Sequence, residues 1–220
     1  MGDEQTRRYY RRRAPEYEQI YYRDNPPRRK EIDDEAAFLR GLADGREVLD
    51  LGCGTGYWTQ ILAERAALVA AADIAPEIIA QAGRKEYRRP PHFLIADLEH
   101  PPFAEGAFDL VVLAFWLSHQ PRETFPTFFP MLGRLVRRGG RLWMIDNNPP
   151  AEGRSLPAAG VDAHGNNFRR RFLDNGEPFV ILKNYFQRDE LVSLCAPYGR
   201  VDRLVYGTYY WSILLSDMNL

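Results

Sequence analysis

Three glycines within five residues are the feature of the sequence that most suggests chemistry. Residues 48–56 read VLDLGCGTG, in which Gly52, Gly54 and Gly56 follow an apolar run that contains Asp50. Glycine permits a positive φ and lets a ligand approach the backbone, because no Cβ stands in the way. Dinucleotide-binding loops place their third glycine three residues after the second. The G-x-G-x-G spacing therefore predicts a ligand-binding loop that differs from the pyrophosphate fingerprint.

The elements around this loop alternate between strand and helix over residues 47–145. Such alternation predicts a parallel sheet with right-handed crossovers. The glycine loop follows the first strand, so it would face the crevice where doubly wound sheets bind ligands. The predicted strands are Glu47–Leu51, Ala67–Ile74, Phe93–Ala96, Phe108–Ala114 and Arg141–Ile145, and the predicted helices are Thr55–Ala66, Pro76–Tyr87 and one with Thr127 as its N-cap.

The remainder of the chain has a weaker pattern. Residues 147–177 are rich in Asn, Gly, Pro and Arg, and they are predicted to form a long loop. Loops of that length in a compact domain are usually functional or disordered. A strand over Phe179–Lys183, a helix over Arg188–Ala196 and a long final strand over Arg203–Ser216 are predicted after it.

The glycine loop resembles the first motif of class I S-adenosylmethionine-dependent methyltransferases. Four further segments stand in the order of that family's motifs: VAAADIAP, IADLEHPPF, FDLVVLAFWLSH and LVRRGGRLWMID. The resemblance implies an α/β, doubly wound, Rossmann-like sheet of seven strands that is mostly parallel, with the last strand antiparallel. It also implies a single methyltransferase domain. Residues 1–44 would form an N-terminal helical lid, 45–146 the cofactor-binding core, and 147–220 a substrate-side loop with the C-terminal strands.

The same resemblance implies roles for particular residues. Asp73 would accept hydrogen bonds from the ribose hydroxyls, and a carboxylate can accept two at once. Asp97 would bind the exocyclic amine of adenine, while the Leu98 N–H meets a ring nitrogen and Ile74 packs on the adenine face. The complete predicted cofactor-binding set is Asp50, Gly52, Cys53, Gly54, Thr55, Gly56, Asp73, Ile74, Asp97, Leu98, Phe115 and Tyr17.

The implied reaction is methyl transfer from S-adenosylmethionine to an oxygen or nitrogen nucleophile of a small molecule, by in-line displacement at the sulfonium. The cofactor carries its own leaving group, so the protein contributes mostly positioning, with a base where the nucleophile holds a proton. His119, in WLSHQP after the fourth strand, is the candidate catalytic base. A histidine of near-neutral pKa can take a proton from a hydroxyl or ammonium group. A hydrogen bond that only orders the loop is the alternative for His119.

Two clusters outside these motifs offer acceptor contacts. The N-terminal segment carries Tyr9, Tyr10, Tyr17, Tyr21 and Tyr22, whose rings could attract a sulfonium or an amine if the segment covers the site. Tyr17 is the first choice for such a contact, and the alternative is that Tyr17 and Tyr21 anchor an amphipathic helix. Arg169–Arg171 could bind a carboxylate or phosphate of the acceptor, although charge runs are more often solvated.

Composition and charge favour a small-molecule acceptor over nucleic acid or a membrane. The 220 residues carry a net charge of −1, and no apolar window approaches the ~18 residues of a membrane span. Cys53 and Cys195 stand in no metal-ligand spacing, so no metal is expected. Two cysteines in 220 residues are no disulfide framework, so a reduced, cytoplasmic setting is expected.

Two alternative functions remain open. One is a protein or RNA methyltransferase that docks through its arginines, and the other is a domain that binds the cofactor without turnover. The sequence predicts no oligomeric state.

Overall fold

The strand–helix alternation predicted for residues 47–145 is present in the structure. The computed structural model describes residues 4–14, 25–150 and 158–218. The helices are α1 (Glu4–Arg13), α2 (Pro26–Leu42), α3 (Tyr57–Ala63), α4 (Pro76–Ala82), α5 (Phe125–Leu135) and α6 (Arg188–Cys195). The strands are β1 (Glu47–Leu51), β2 (Leu68–Asp73), β3 (His92–Ile95), β4 (Phe108–Ala114), β5 (Val136–Asn147), β6 (Ala158–Val161), β7 (Asn167–Phe172), β8 (Pro178–Leu182), β9 (Arg200–Tyr206) and β10 (Tyr210–Ser216). Within the described ranges, no helix is both long enough and apolar enough to span a bilayer.

Seven strands form one sheet in the order β3-β2-β1-β4-β5-β10-β9. Neighbouring strands from β3 to β5 are parallel, and β10 runs antiparallel to both β5 and β9. The predicted doubly wound sheet with an antiparallel last strand is therefore confirmed. The chain order reverses at β1, since β2 and β3 extend the sheet on one side and β4 and β5 on the other. Such a switch point opens a crevice at the carboxyl ends of the strands, where the loop after β1 lies.

Apolar side chains cover both faces of this sheet. Successive side chains of a strand point to opposite faces. In β5, Leu142 and Met144 therefore join one buried cluster, whereas Trp143 and Ile145 join the other. Helix α5 contributes Phe129 to the first cluster, and α2 and α3 contribute to the second. Burial on both faces explains the continuous apolar sequence of the central strands.

Helix α5 begins earlier than the sequence pattern predicts. The expectation that Thr127 is the N-cap is wrong, because the helix starts at Phe125 and follows a 3₁₀ turn over Arg122–Thr124. Pro130 consequently lies inside the helix, where its missing N–H removes one backbone hydrogen bond. Phe125 and Phe129 are both buried and their rings are in contact, which favours the longer helix.

The region predicted to be a long loop contains two strands of a second sheet. β6, β7 and β8 form a three-stranded antiparallel sheet in that order, and the loop prediction for residues 147–177 is wrong for this part. The predicted strand over Phe179–Lys183 belongs to this smaller sheet. β7 reads NFRRRF and keeps partial solvent exposure along its length. A strand of that composition lacks the apolar run by which buried strands are recognised.

The long final strand predicted over Arg203–Ser216 is a hairpin of β9 and β10. Its turn is held from a distant part of the chain, since the Glu31 carboxylate of α2 accepts hydrogen bonds from the backbone N–H groups of Thr208, Tyr209 and Tyr210 at 2.8–3.1 Å. The stabilising group lies about 180 residues earlier in sequence, so local pattern could not show it.

Candidate cofactor and acceptor site

A pocket opens at the carboxyl ends of β1, β2 and β4. The glycine loop and the end of β2 bound it on one side, the segment after β4 on another, and helix α1 on a third. Its lining residues are Thr6, Tyr10, Arg11, Gly52, Gly54, Thr55, Asp73, Ile74, Ala75, Ile78, Ala114, Phe115, Trp116 and His119. The pocket therefore occupies the crevice that the sheet topology predicts for a ligand.

The glycine loop turns tightly over the end of β2. Gly52, Gly54 and Gly56 have φ values of +76°, +54° and +85°, a region that side chains with a Cβ disfavour. The N–H groups of Gly52 and Cys53 donate to the Ala72 carbonyl at 2.8 and 3.0 Å. The loop is thereby fixed to the neighbouring strand, with its backbone at the pocket wall.

Asp73 connects the end of β2 to the glycine loop. Its carboxylate accepts a hydrogen bond from the Gly54 N–H at 3.1 Å and another from the Ala75 N–H at 3.0 Å. Burial raises the pKa of this carboxyl, while the backbone donors oppose the shift. Each carboxylate oxygen has two acceptor positions. The two backbone bonds are therefore compatible with a further hydroxyl donor at the pocket.

Asp50 lies behind the loop rather than in the pocket wall. The side chain is buried, and the Thr59 hydroxyl donates to its Oδ2 at 2.6 Å. Its Oδ1 has no hydrogen-bond partner among the described residues. Burial raises the pKa of Asp50 to about 7, and the nearby Asp73 carboxylate adds to the rise. Within the described part of the chain, one oxygen of this buried acid beneath the loop is therefore unsatisfied, as are the Thr55 hydroxyl and the Trp116 Nε1 in the pocket lining.

The segment after β4 leaves the sheet through a strained residue. Phe115 has φ +56°, in the left-handed region, and its N–H donates to the Ile145 carbonyl at 2.7 Å. A non-glycine residue held there costs on the order of 1–3 kcal/mol, and such residues cluster at functional sites. The turn places Trp116 beside the glycine loop, 3.6 Å from where a Cβ on Gly52 would lie.

The structure brings seven of the predicted site residues to the pocket. Gly52, Gly54, Thr55, Asp73, Ile74, Phe115 and His119 line it. Four other predicted residues do not line it: Cys53, Gly56, Asp97 and Leu98. Leu98 is fully buried against the loop, with its Cδ1 3.2 Å from a Cβ on Gly52, and Asp97 accepts the Glu99 N–H. Tyr17 lies outside the described residues.

His119 lines the pocket but does not have the predicted near-neutral pKa. The ring is buried, with Nδ1 2.6 Å from the Leu182 carbonyl oxygen and Nε2 2.7 Å from the Tyr10 hydroxyl. Burial, together with the positive charge of Lys183, lowers the pKa of His119 to about 3. The prediction of a near-neutral imidazole is therefore wrong. The sequence could not show this, because the burial that lowers the pKa of His119 arises only when the turn packs in the folded chain.

Comparison with known proteins identifies the domain that carries this pocket. The methyltransferase domain family matches residues 48–140, which include the glycine loop and Asp73. The solved DhpI–SAM–HEP complex aligns with 96% of this chain and 96% of its own, at 28% identity and a TM-score of 0.73. Residues 48–140 form an S-adenosylmethionine-dependent methyltransferase domain. The DhpI–SAH complex aligns with 97% of both chains, at 29% identity and a TM-score of 0.71.

Curated relatives match the methyltransferase domain over a shorter range. The demethylmenaquinone methyltransferase of Thermus thermophilus is 40% identical over 115 residues, which are 49% of this chain and 50% of the relative. The malonyl-[acyl-carrier protein] O-methyltransferase of Serratia marcescens is 32% identical over 99 residues, which are 44% and 36% of the two chains. The chain thus spans half or less of the length of these relatives.

Helix α1 supplies pocket-lining residues that the motifs of the methyltransferase domain do not include. Thr6 and Tyr10 stand four residues apart on one face and both line the pocket. The helix packs on β8 through Tyr9, whose ring lies 5.4 Å from that of Phe179, and the Leu182 N–H donates to the Thr6 hydroxyl at 3.3 Å. The i, i+4 spacing of polar residues could have identified this face from the sequence.

A buried ion pair lies beneath His119 and joins the two sheets. Lys183 Nζ contacts Asp146 Oδ1 at 2.9 Å and donates to the Ser118 hydroxyl at 2.7 Å. Burial alone would raise the pKa of Asp146, but the Lys183 ammonium holds it below its ordinary value. By contrast, Arg169–Arg171 lie on β7 and do not line the pocket.

Proposed function

We propose that this protein transfers the methyl group of S-adenosylmethionine to an oxygen or nitrogen nucleophile of a small molecule. The observation that carries the proposal is one pocket lined by two chemically different sets of residues. The glycine loop and Asp73 are one set. Thr6, Tyr10 and His119 are the other, and their hydroxyl and imidazole groups suit a polar acceptor.

The residues present fit the cofactor that the family uses. A Cβ at Gly52 would meet Leu98 and Trp116 at 3.2 and 3.6 Å, so the backbone there forms a cradle that only glycine leaves open. Asp73 would hold the ribose hydroxyls and Ile74 would pack on the adenine, with Asp97 and the Leu98 N–H at its edge. For Tyr17 we propose a contact to the cofactor or the acceptor.

The protein's own contribution is chiefly positioning. When bound, S-adenosylmethionine supplies a methyl group attached to a sulfonium. The lone pair of the nucleophile forms the new bond to the methyl carbon, and the electron pair of the broken carbon–sulfur bond stays on sulfur. Holding the two reactants in line can provide a large part of the rate acceleration. The apolar rings of Phe115 and Trp116 border the same pocket and reduce the water around the reacting atoms.

A small acceptor is favoured by the way helix α1 borders the pocket. The helix is held on β8 by the Tyr9–Phe179 contact and by an ion pair of 2.9 Å between Arg12 and Glu177. We propose that residues 1–44 act as a lid, with residues 45–146 as the cofactor-binding core. Relatives named for demethylmenaquinone and for malonyl-[acyl-carrier protein] support a metabolite or carrier-borne acceptor.

The test is in two stages, beginning with S-adenosylhomocysteine binding by calorimetry. The wild type is expected to bind, and Asp73→Ala is expected to bind at least about 10-fold more weakly, since a charged hydrogen bond contributes ~1.5–3 kcal/mol. Asp109→Asn is the matched control, because Asp109 pairs with Arg137 at the amino end of β4, whereas the pocket lies at the carboxyl ends of the strands. A wild type that binds no S-adenosylhomocysteine would refute the proposed function.

The second stage is a methyl-transfer assay with radiolabelled S-adenosylmethionine. The panel contains metabolites with alcohol, phenol, amine or carboxylate groups, together with total RNA and a protein extract. We expect label in a metabolite that carries a hydroxyl or amine. Label only in RNA or protein, lost steeply with salt in the RNA case, would replace the small-molecule proposal with a macromolecular one.

A further inference from the structure

We infer that Tyr10 receives the proton-bearing nucleophile of the methyl acceptor, and that His119 is a positioning residue that acts through Tyr10. The inference rests on the proposed function, and it narrows the acceptor class to hydroxyl and amine nucleophiles. It also replaces the sequence-based prediction of His119 as the catalytic base. The juxtaposition that carries it is the chain of contacts from the Leu182 carbonyl through His119 to Tyr10 at the pocket wall.

The tautomer of His119 follows from its two partners. The Leu182 oxygen is a carbonyl and can only accept, so Nδ1, 2.6 Å away, must carry the proton. The ring is neutral, because it is buried close to the Lys183 ammonium and its pKa is lowered to about 3. Nε2 of a neutral ring protonated at Nδ1 is an acceptor. The Tyr10 hydroxyl, 2.7 Å away, therefore donates its proton to Nε2.

The direction of this proton determines what Tyr10 can do at the pocket. A phenol has one proton, and here it points at His119. Toward a ligand in the pocket the Tyr10 oxygen can act only as a hydrogen-bond acceptor. A hydroxyl or amine can donate to it, whereas a carboxylate would bring its lone pairs against those of the phenol. The pair thus favours a nucleophile that still holds a proton.

Packing keeps the Tyr10 oxygen in place. The Tyr10 and His119 rings meet edge to face with centroids 4.9 Å apart, and the adjacent Tyr9 ring lies 5.0 Å from that of Tyr10. His119 is not expected to take up a proton during the reaction, because an imidazolium beside Lys183 is disfavoured. The proton that the nucleophile loses on methylation leaves to water.

The experiment compares Tyr10→Phe with Tyr9→Phe, which removes a hydroxyl from the same helix outside the pocket. With the hydroxyl or amine acceptor found by the assay above, Tyr10→Phe is expected to lower kcat/KM about 5-fold, the effect of one lost hydrogen bond of ordinary strength. Tyr9→Phe is expected to leave it unchanged. S-adenosylhomocysteine binding should stay within about two-fold of the wild type in both variants, which separates failure of this inference from failure of the proposed function.

Two His119 variants test the positioning role. The amide of His119→Asn can still donate to the Leu182 carbonyl but offers Tyr10 no acceptor at the Nε2 position, so a loss similar to that of Tyr10→Phe is expected. His119→Gln places an amide oxygen near the Nε2 position and should restore part of the activity. Adding His119→Asn to Tyr10→Phe should cost nothing more. A further loss in the double variant, or an unchanged Tyr10→Phe enzyme, would overturn the inference.

A readout independent of any acceptor closes the test. Nitrogen-15 NMR of the His119 ring should show a protonated Nδ1 and a bare Nε2 that do not titrate between pH 5 and 8, and the Nε2 shift should change in Tyr10→Phe. A protonated Nε2, or efficient methylation of a carboxylate that is indifferent to Tyr10→Phe, would show that the assignment is wrong.

Discussion

Gly56 offers the sharpest test of how the glycine loop is built. It has φ +85° and precedes α3, and a Cβ added there would lie 2.6 Å from the Tyr87 hydroxyl and 3.1 Å from the Ala82 Cβ. That hydroxyl donates to the Ala82 carbonyl at 2.8 Å. Gly56→Ala must therefore both strain the backbone and displace a hydrogen-bonded tyrosine.

The expected destabilisation is the sum of two effects. An alanine in the left-handed region costs about 1–2 kcal/mol. Displacing the Tyr87 hydroxyl from its carbonyl adds about 1 kcal/mol, so that Gly56→Ala should lose roughly 2–3 kcal/mol of unfolding free energy. Gly54→Ala is the matched control, because Gly54 has φ +54° and its Cβ would meet no atom within 4 Å. The unfolding free energy of Gly54→Ala should fall only by the cost of placing alanine in the left-handed region, about 1–2 kcal/mol.

Urea unfolding followed by circular dichroism measures both variants. Tyr87→Phe removes the obstructing hydroxyl, so Gly56→Ala in that background should cost only the backbone strain, about 1–2 kcal/mol. The thermodynamic cycle should therefore show a coupling of about 1 kcal/mol between the two sites. Equal stability of the Gly56→Ala and Gly54→Ala variants, or zero coupling with Tyr87→Phe, would contradict the reasoning.

Two further predictions concern buried charges. The pKa of Asp50 is about 7 when folded, and that of an unfolded aspartate is about 3.9, so its contribution to stability is full below pH ~4 and is lost as the pH rises through 7. Asparagine does not titrate, so the unfolding free energy of Asp50→Asn, measured by urea titration, should rise relative to that of the wild type between pH 4 and 8. The relative increase should reach up to about 4 kcal/mol. If the unfolding free energies of the two proteins changed with pH in parallel, the pKa of Asp50 would not be raised in the folded state. Lys183→Met leaves the Asp146 carboxylate buried without its cation, so we expect a loss of about 3–5 kcal/mol, partly recovered by adding Asp146→Asn. No recovery in the double variant would show that the loss does not come from the uncompensated charge.

The sequence by itself determined the parallel part of the fold and the position of the glycine loop at the pocket. Apolar strands β1 and β4, covered on both faces, and glycines that require positive φ are local signals, because each depends on neighbours within a few residues. They sufficed to predict a parallel sheet, and the resemblance to methyltransferase motifs added its seven strands and the antiparallel last strand. The strand order confirms this sheet. The hydrogen bond of 3.1 Å between Asp73 and the Gly54 N–H is a contact that the structure adds.

Only the tertiary structure decided which residues of α1 and of the turn after β4 meet at the pocket, and how the edges of the fold are built. The smaller sheet, the hairpin turn held by Glu31 and the contact of Tyr10 with His119 each join segments that are far apart in the chain. The protonation of His119 likewise depends on burial and on Lys183, which lies 64 positions further along the sequence. Burial and long-range hydrogen bonding arise when the whole chain packs, so residue spacing alone could locate His119 at the pocket but could not determine its charge.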